Sequence, residues 1–282
     1  MRLAPLMGLL LLFAGAMAAD SPAGARSTWG WIAFDERTFF RGGGGDAWEV
    51  FVVRADGTDE RMVTPKQPAL DNMSPAWSPS GSRIAFTGQA LTRKVSSGIY
   101  VVNADGTGWR LVARVSRQQN WPSTATWSPD ARRIAFNRRD SIWTASSSGG
   151  DETRLTRSRT DHEPAWSPDG GRIVFARGGA LWLVRSSGGR AQPFATNGSN
   201  PSWSPDGQTL AFENGIGRIV LIRRDGTHRH PLGWGHHPSW SPDGRMIAYD
   251  GGNGIWVMDR DGRGVSRVRR GYPETGRPAW GR

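Results

Sequence analysis

The sequence predicts an all-β protein made of repeated four-stranded units, and three observations support this prediction. A Trp-Ser-Pro motif recurs at intervals of about 40 residues, a period typical of propeller repeats. A short apolar strand of the Ile-Ala-Phe type follows each motif, and Asp-Gly or Gly-Gly turns separate the strands. No long segment has the apolar periodicity of an amphipathic helix. Together these features predict a β-propeller.

Each repeat divides into strands A to D. Strand A carries the tryptophan, and strand B is the apolar triplet. Alternation places the two large residues of strand B on one face and the alanine on the other, so that neighbouring blades can interdigitate. We expect the tryptophans of strand A to be core residues, because large aromatic side chains bury much apolar area. They are Trp77, Trp127, Trp166, Trp203, Trp240 and Trp280.

The number of blades follows from the strand-B triplets, which occur six times. The first triplet, Ile32-Ala33-Phe34, has no Pro-x-Trp ahead of it. The sequence ends instead with a strand A, Arg277–Arg282, that no strand B follows. We therefore predict a six-bladed ring of four-stranded blades. The C-terminal strand completes the first blade and covers a sheet edge that would otherwise be exposed.

The amino-terminal residues resemble a secretory signal. Arg2 precedes an apolar run, and Ala16-Met17-Ala18 has the small residues of a cleavage site. The run is too short for a transmembrane helix. We predict a cleaved signal peptide over residues 1–19, a short segment over 20–28 and the propeller over 29–282. The expected location is the periplasm or the exterior, and we expect no membrane span.

Charge and cysteine content limit the partners. The sequence has 36 Lys and Arg against 25 Asp and Glu, a net charge of +11, and no cysteine. The positive charge suits an anionic partner, although an arginine bias can also reflect genome composition. Without cysteine there is neither a disulfide nor a site for a thiol-linked lipid. Because the signal indicates export, we expect no nucleic-acid partner, and we expect a monomer.

The repeat at residues 164–170, Pro-Ala-Trp-Ser-Pro-Asp-Gly, resembles that of the TolB-type, WD40-like (PD40) propellers. The apolar strand at 172–175 and turns such as Asn-Ala-Asp-Gly-Thr at 103–107 add to the resemblance, which covers about residues 29–282. It implies a six-bladed propeller in an exported protein. TolB belongs to the Tol–Pal envelope system and binds the peptidoglycan-associated lipoprotein through its propeller. The α/β domain that precedes the propeller in TolB has no counterpart in residues 20–28.

A polar residue lies three positions before the tryptophan of strand A in every repeat. In an up-and-down blade these residues share one face with the B–C and D–A connections, at the mouth of the central channel. A socket of mixed polarity there suits a peptide or a glycan, although a water-filled channel would also favour polar residues. The six candidates are Ser74, Thr124, Glu163, Asn200, His237 and Arg277.

Three connections on the same face are predicted to be long irregular loops, over residues 35–48, 87–98 and 113–123. Loops on a rigid scaffold often carry function, although such insertions can also be neutral. Aromatic and arginine side chains dominate many interfaces. The partner-binding candidates in these loops are Phe39, Phe40, Arg41, Arg93, Lys94, Arg117 and Trp121.

Three histidines are weak metal candidates: His162, His236 and His237. Histidine and carboxylate side chains can bind a transition metal where they converge, but adjacent histidines rarely hold one ion together. We therefore expect neither a metal nor another cofactor. No Gly-x-Ser-x-Gly nucleophile motif occurs, and no catalytic residue is assigned.

Two functions are compatible with these observations. The favoured one is an exported, non-enzymatic binding or scaffold propeller that recognises a protein or cell-envelope partner on its long-loop face. The alternative is a carbohydrate-active enzyme, a metal-assisted lyase or hydrolase with its site in the central channel. The related oligogalacturonate lyases, which hold a metal with histidines, illustrate that alternative.

Overall fold

The computed structural model describes residues 30–39, 46–64, 70–115, 124–271 and 276–282. The predicted signal peptide and the segment up to residue 28 lie outside the described residues. In the described ranges, twenty-four strands form six antiparallel sheets of four strands each, and these sheets are the blades of a propeller. The predicted fold class and blade number are therefore confirmed.

The strands follow the chain in order, and each blade uses four of them. Blade 1 begins with β1 (Trp31–Phe39), β2 (Asp46–Arg54) and β3 (Arg61–Met62). Blade 2 contains β4 (Leu70–Trp77), β5 (Arg83–Ala90), β6 (Gly98–Asn103) and β7 (Arg110–Arg114). Blade 3 contains β8 (Ala125–Trp127), β9 (Arg133–Arg138), β10 (Ser141–Ser146) and β11 (Thr153–Arg154).

The second half of the ring repeats this arrangement. Blade 4 contains β12 (Asp161–Trp166), β13 (Arg172–Arg177), β14 (Ala180–Arg185) and β15 (Gln192–Ala195). Blade 5 contains β16 (Ser199–Trp203), β17 (Thr209–Glu213), β18 (Arg218–Arg223) and β19 (His230–Trp234). Blade 6 contains β20 (His236–Trp240), β21 (Met246–Asp250), β22 (Gly254–Asp259) and β23 (Ser266–Arg270). The last strand, β24 (Gly276–Gly281), pairs with β1.

Ring closure occurs as predicted. β24 is the innermost strand of blade 1, and Trp280 pairs with Ile32 in an antiparallel register. The Trp280 backbone N–H also donates to Ser239 Oγ of blade 6 at 2.9 Å. Trp280 is 7% exposed and packs in the apolar cluster that joins blade 6 to blade 1. One strand therefore joins the two ends of the described chain.

The core lies between blades, in six apolar clusters. The strand-B phenylalanines are fully buried, and each packs against the small residue of the preceding blade. In one cluster, Ile84 and Phe86 of blade 2 pack with Ala33 of blade 1. Burying one such side chain stabilises the fold by about 1.5–3 kcal/mol. The large-against-small packing predicted from the alternation is therefore present at the blade junctions.

Two of the predicted long loops are hairpins instead, so that part of the prediction is wrong. β1 and β2 remain paired out to Phe39 and Asp46, and β5 and β6 remain paired out to Gly88 and Gly98. The extra length of β1 and β2 is not visible in the sequence because charged residues interrupt the apolar pattern. These charged residues can be buried in the sheet because they form hydrogen bonds there. Glu49, for example, is fully buried and accepts hydrogen bonds from Thr64 Oγ1 at 2.5 Å and Asn72 Nδ2 at 2.9 Å. Of the third loop, residues 116–123 lie outside the described residues.

Candidate functional site

The six predicted polar residues meet around one small cavity at one mouth of the channel. The cavity has a volume of about 110 Å³, and each of the six is followed in the lining by the next residue of its own strand. We call this end the polar mouth. Its members are Ser74, Thr124, Glu163, Asn200, His237 and Arg277. Every blade therefore contributes one side chain to a single site.

The backbone holds these side chains in an uncommon conformation. Five of the six have positive φ, between 42° at Arg277 and 55° at Ser74, and none of the six is glycine. The left-handed conformation costs a non-glycine residue about 1–2 kcal/mol. Strain of this kind clusters at functional sites.

A repeated β-bulge produces this conformation. In blade 4, His162 pairs with Ala176 and Ala165 pairs with Val174, so that Glu163 and Pro164 together face Phe175. The same shift of register occurs in the innermost strands of blades 1, 2, 5 and 6. A bulge redirects a side chain and interrupts strand pairing. Proline suits the second position because it has no N–H to donate to a ladder.

An ion pair crosses the polar mouth. Arg277 of blade 1 and Glu163 of blade 4 lie on opposite sides of the ring, with Arg277 Nη2 3.8 Å from Glu163 Oε1. The other carboxylate oxygen of Glu163 accepts a hydrogen bond from the backbone N–H of Asn200 at 2.8 Å. Both side chains are largely buried, with 11% of Glu163 and 22% of Arg277 exposed. The site thus contains both signs of charge side by side.

Residues at the end of strand B support the polar mouth from behind, and the sequence analysis missed them. Asp35 Oδ2 accepts the Ser74 N–H at 3.0 Å, and Asn137 Oδ1 accepts the Thr124 N–H at 2.8 Å. Glu213 Oε2 accepts from the Asn200 side chain at 3.0 Å. All three supporting residues directly follow the apolar triplet of strand B. That shared position in the repeat is the signal that could have identified them.

Asp35 is the more buried of the two supporting carboxylates, since it is buried and Glu213 is only partly buried. Burial raises the pKa of its carboxyl above the usual value of 3.8, against the opposing effects of the Ser74 N–H and of the charges on Arg277 and His237. Asp35 Oδ1 is buried and has no hydrogen-bond partner among the described residues. A titratable group therefore lies directly behind the site.

The three candidate histidines lie beside different residues, and His237 Nδ1 is 3.8 Å from Asp250 Oδ2. His162 Nδ1 lies 3.2 Å from the carbonyl oxygen of Ala176, and His236 Nδ1 lies 2.8 Å from Glu213 Oε1. The rings of His236 and His237 are 6.3 Å apart between centroids. Within the ranges that the structure describes, no three His, Cys, Asp or Glu residues are grouped so as to hold a metal ion.

The predicted loop residues are only partly within the described structure. Arg93 and Lys94 lie exposed at the tip of the hairpin between β5 and β6. Phe39 ends β1, and its side chain is not described. Phe40, Arg41, Arg117 and Trp121 lie outside the described residues.

An exposed apolar pair beside the polar mouth was not predicted. Ile216, in the turn between β17 and β18, and Trp234, at the end of β19, are each 66% exposed. They line a shallow pocket of about 250 Å³ together with His236. Trp234 lies outside the repeated tryptophan position of strand A, which is the sequence signal that distinguishes it from the core tryptophans.

The opposite mouth of the channel is aromatic. The six strand-A tryptophans line a cavity of about 370 Å³ together with five prolines, and we call this end the aromatic mouth. Trp127, Trp240 and Trp280 are buried as predicted. Trp77, Trp166 and Trp203 are only half-buried, and each packs against the buried apolar cluster of a blade junction. They face the channel opening as well as the blades.

No helix in the described residues has the length and the apolar character needed to cross a membrane. Comparison with curated proteins finds no match. Solved structures share the fold at low sequence identity. A protein assigned as TolB from Agrobacterium tumefaciens is 23% identical with a TM-score of 0.50, over 84% of this chain and 80% of that one.

Two further structures share the propeller. Hydrazine synthase of Kuenenia stuttgartiensis has a TM-score of 0.67 at 13% identity, over 89% of this chain and 46% of that one. Oligogalacturonate lyase of Vibrio parahaemolyticus has a TM-score of 0.55 at 11% identity, over 79% of this chain and 72% of that one. At these identities the structures establish the fold alone. The profile of the TolB β-propeller domain matches residues 33–282, and the chain therefore belongs to that family.

Proposed function

We propose that this protein is an exported, non-enzymatic binding propeller that recognises a protein partner of the cell envelope at its polar mouth. The observation that carries the proposal is the set of six different polar side chains that the blades direct into one cavity, five of them on strained backbone. Glycine would relieve that strain at each position. Retaining side chains there favours a role in recognition.

The size of the cavity indicates what enters it. A volume of about 110 Å³ suits one side chain or one protruding turn of a partner, and is well below the roughly 300–1,000 Å³ of typical small-molecule sites. The pair Glu163 and Arg277 offers an inserted polar group a partner of either charge. A protein that presents a polar side chain on a protruding loop fits this site.

The apolar pair beside the cavity supplies the second part of the surface. Ile216 and Trp234 together present an exposed apolar area next to a polar rim. Exposed aromatic residues of this kind often dominate the affinity of an interface. The hairpin between β5 and β6 adds Leu91, which is 43% exposed, on the same face. This surface suits a partner with an apolar contact of its own.

Site-specific photo-crosslinking tests the proposal. A photoreactive benzoylphenylalanine replaces Ile216 in one variant and Val265 in another, and each is expressed in the source organism. Val265 is a matched control because it is 41% exposed and lies in the turn between β22 and β23, on the opposite face. We expect a specific adduct with one envelope protein from position 216 and none from position 265. An adduct from position 265 alone would contradict the proposal.

A further inference from the structure

A second candidate site lies at the outer edge of the ring, between blades 3 and 4. An open groove of about 950 Å³ runs between β11, with the residues that follow it, and the outer strands of blade 4. It shares no lining residue with the polar mouth. Its volume is near the upper end of small-molecule sites, roughly 300–1,000 Å³, and suits an oligomer better than a single ion.

The lining is strongly basic. The described residues that line it include the four arginines Arg154, Arg157, Arg177 and Arg190 and no acidic residue. Asp161 neutralises Arg177 through two contacts of 2.6 and 2.9 Å. Arg157 and Arg190 are exposed, and in the described part of the chain neither has a hydrogen bond or an ion pair. The groove therefore has positive charge that no group among the described residues compensates, and the fork of the guanidinium group suits carboxylates and sulfates.

The uncharged part of the lining suits sugars. Trp182 is half-buried in the groove, and Arg177 stacks on its ring at 4.7 Å. Ser158, Ser187 and Gln192 add hydroxyl and amide groups that can both donate and accept hydrogen bonds. An aromatic surface beside such groups can contact the apolar face of a sugar ring while its hydroxyls are hydrogen-bonded.

The sheet edges beside the groove disfavour an acidic peptide. An extended peptide usually adds to a free strand edge through main-chain hydrogen bonds. β11 has only two residues, Thr153–Arg154, and is too short for such a ladder. On the other side, β15 contains Pro193, which has no N–H to donate. Recognition in this groove must therefore rely on side chains, as it does for a glycan.

We propose that this groove binds a linear acidic glycan, a chain of sugar rings that carry carboxylate or sulfate groups. Arg157 and Arg190 bind the anionic groups, and Trp182 packs against a ring. This binding involves no covalent step. It is independent of the polar mouth, so that either proposal can fail alone.

Titration calorimetry at low salt tests this inference. The probes are a hexasaccharide of uronic acids, a sulfated hexasaccharide, neutral cellohexaose and hexaglutamate. We expect the Arg157→Ala, Arg190→Ala double variant to bind the preferred acidic hexasaccharide about 100-fold more weakly. Each charge-assisted contact contributes about tenfold or more. The uronate and sulfate probes distinguish the two sources of negative charge.

The matched control is the Arg245→Ala, Arg263→Ala double variant. It loses the same charge from two exposed arginines of blade 6, whose side chains are 85% and 86% exposed. We expect it to bind as the parent does. Equal weakening in both double variants would overturn the inference, since it would indicate attraction by net charge alone. Binding of hexaglutamate at equal affinity, or no binding of either acidic hexasaccharide, would also overturn it.

Discussion

The two mouths of the channel are built from the same six strands and have opposite characters. At the aromatic mouth every blade contributes tryptophan, and five of the six add proline. At the polar mouth, three positions earlier on each strand, no two blades contribute the same residue. The backbone is regular through the tryptophans and bulged at the polar residues of five of the six blades.

This difference distinguishes residues that stabilise the fold from residues that are available for binding. Residues that repeat in every blade serve a role that every blade shares, which is packing against the neighbouring blade. Residues that differ from blade to blade cannot be explained in that way, because the blades are geometrically equivalent. We infer that the aromatic mouth stabilises the ring and that the polar mouth determines what the protein binds.

The largest expected effect compares two tryptophans. Trp280→Ala should lower the free energy of unfolding by about 3–5 kcal/mol, because it empties a buried position in the strand that closes the ring. Trp234→Ala, at a 66% exposed position beside the polar mouth, should change it by less than about 0.5 kcal/mol. Urea unfolding of both variants measures the difference. Equal losses of unfolding free energy in the two variants would contradict the view that only the aromatic mouth stabilises the ring.

The next prediction compares a variant that removes a glycine with one that introduces a glycine. A Cβ added at Gly281 would lie 2.4 Å from the ring of Trp77, so Gly281→Ala should destabilise the protein by about 1–3 kcal/mol. His237→Gly should have an effect within about 1 kcal/mol of zero. Relief of the positive φ at His237 offsets the greater entropy that glycine gives the unfolded chain.

The same pair should separate stability from binding. We expect His237→Gly to weaken binding of the crosslinked partner and Gly281→Ala to retain it in the folded fraction. Thermal unfolding and a binding titration on the same samples provide both readings. Strong destabilisation by His237→Gly would show that the bulge residue is needed for folding.

A double-mutant cycle tests the ion pair across the polar mouth. With Glu163→Gln and Arg277→Gln, we expect a coupling free energy of about 0.5–1 kcal/mol, because both side chains are largely buried. The control cycle uses Asp261 and Arg263, an exposed pair 3.6 Å apart. Its coupling should be close to zero. A cycle at the polar mouth with no coupling would mean that the two charges do not interact in solution.

The smallest predicted effect is a pair of opposite pH dependences. Burial raises the pKa of Asp35 above 3.8, so the ionised carboxylate destabilises the fold and Asp35→Asn gains stability relative to the parent as the pH rises above 3.8. Hydrogen bonds from Ser204 Oγ and the Gln208 N–H lower the pKa of Asp206, in a turn near the aromatic mouth. The parent therefore gains stability relative to Asp206→Asn as the pH rises towards 3.8. Urea unfolding at several pH values should show both trends, and slopes of the same sign would contradict them.

The fold and the position of the candidate site could be predicted from the sequence, but the residues around that site could not be predicted as well. The repeat placed the six polar residues together, because equivalent positions of a closed ring meet at its axis. It did not reveal Asp35 or Glu213, whose partners come from other strands and blades. It also misread the hairpin of blade 1 as a loop, because buried charges such as Glu49 break the apolar pattern. The partners of these side chains depend on the fold, although the position of Asp35 and Glu213 directly after the strand-B triplet could have marked them in the sequence.

Amide hydrogen exchange of the propeller, with and without its crosslinking-identified partner, tests most directly whether the polar mouth is the binding end. We predict slower exchange in the complex for peptides that cover residues 70–77, 161–166, 199–203 and 232–240. Exchange should be unchanged in the turns of the opposite face, at residues 128–133, 167–172 and 204–209. Protection confined to those turns would contradict the account and would assign recognition to the aromatic mouth.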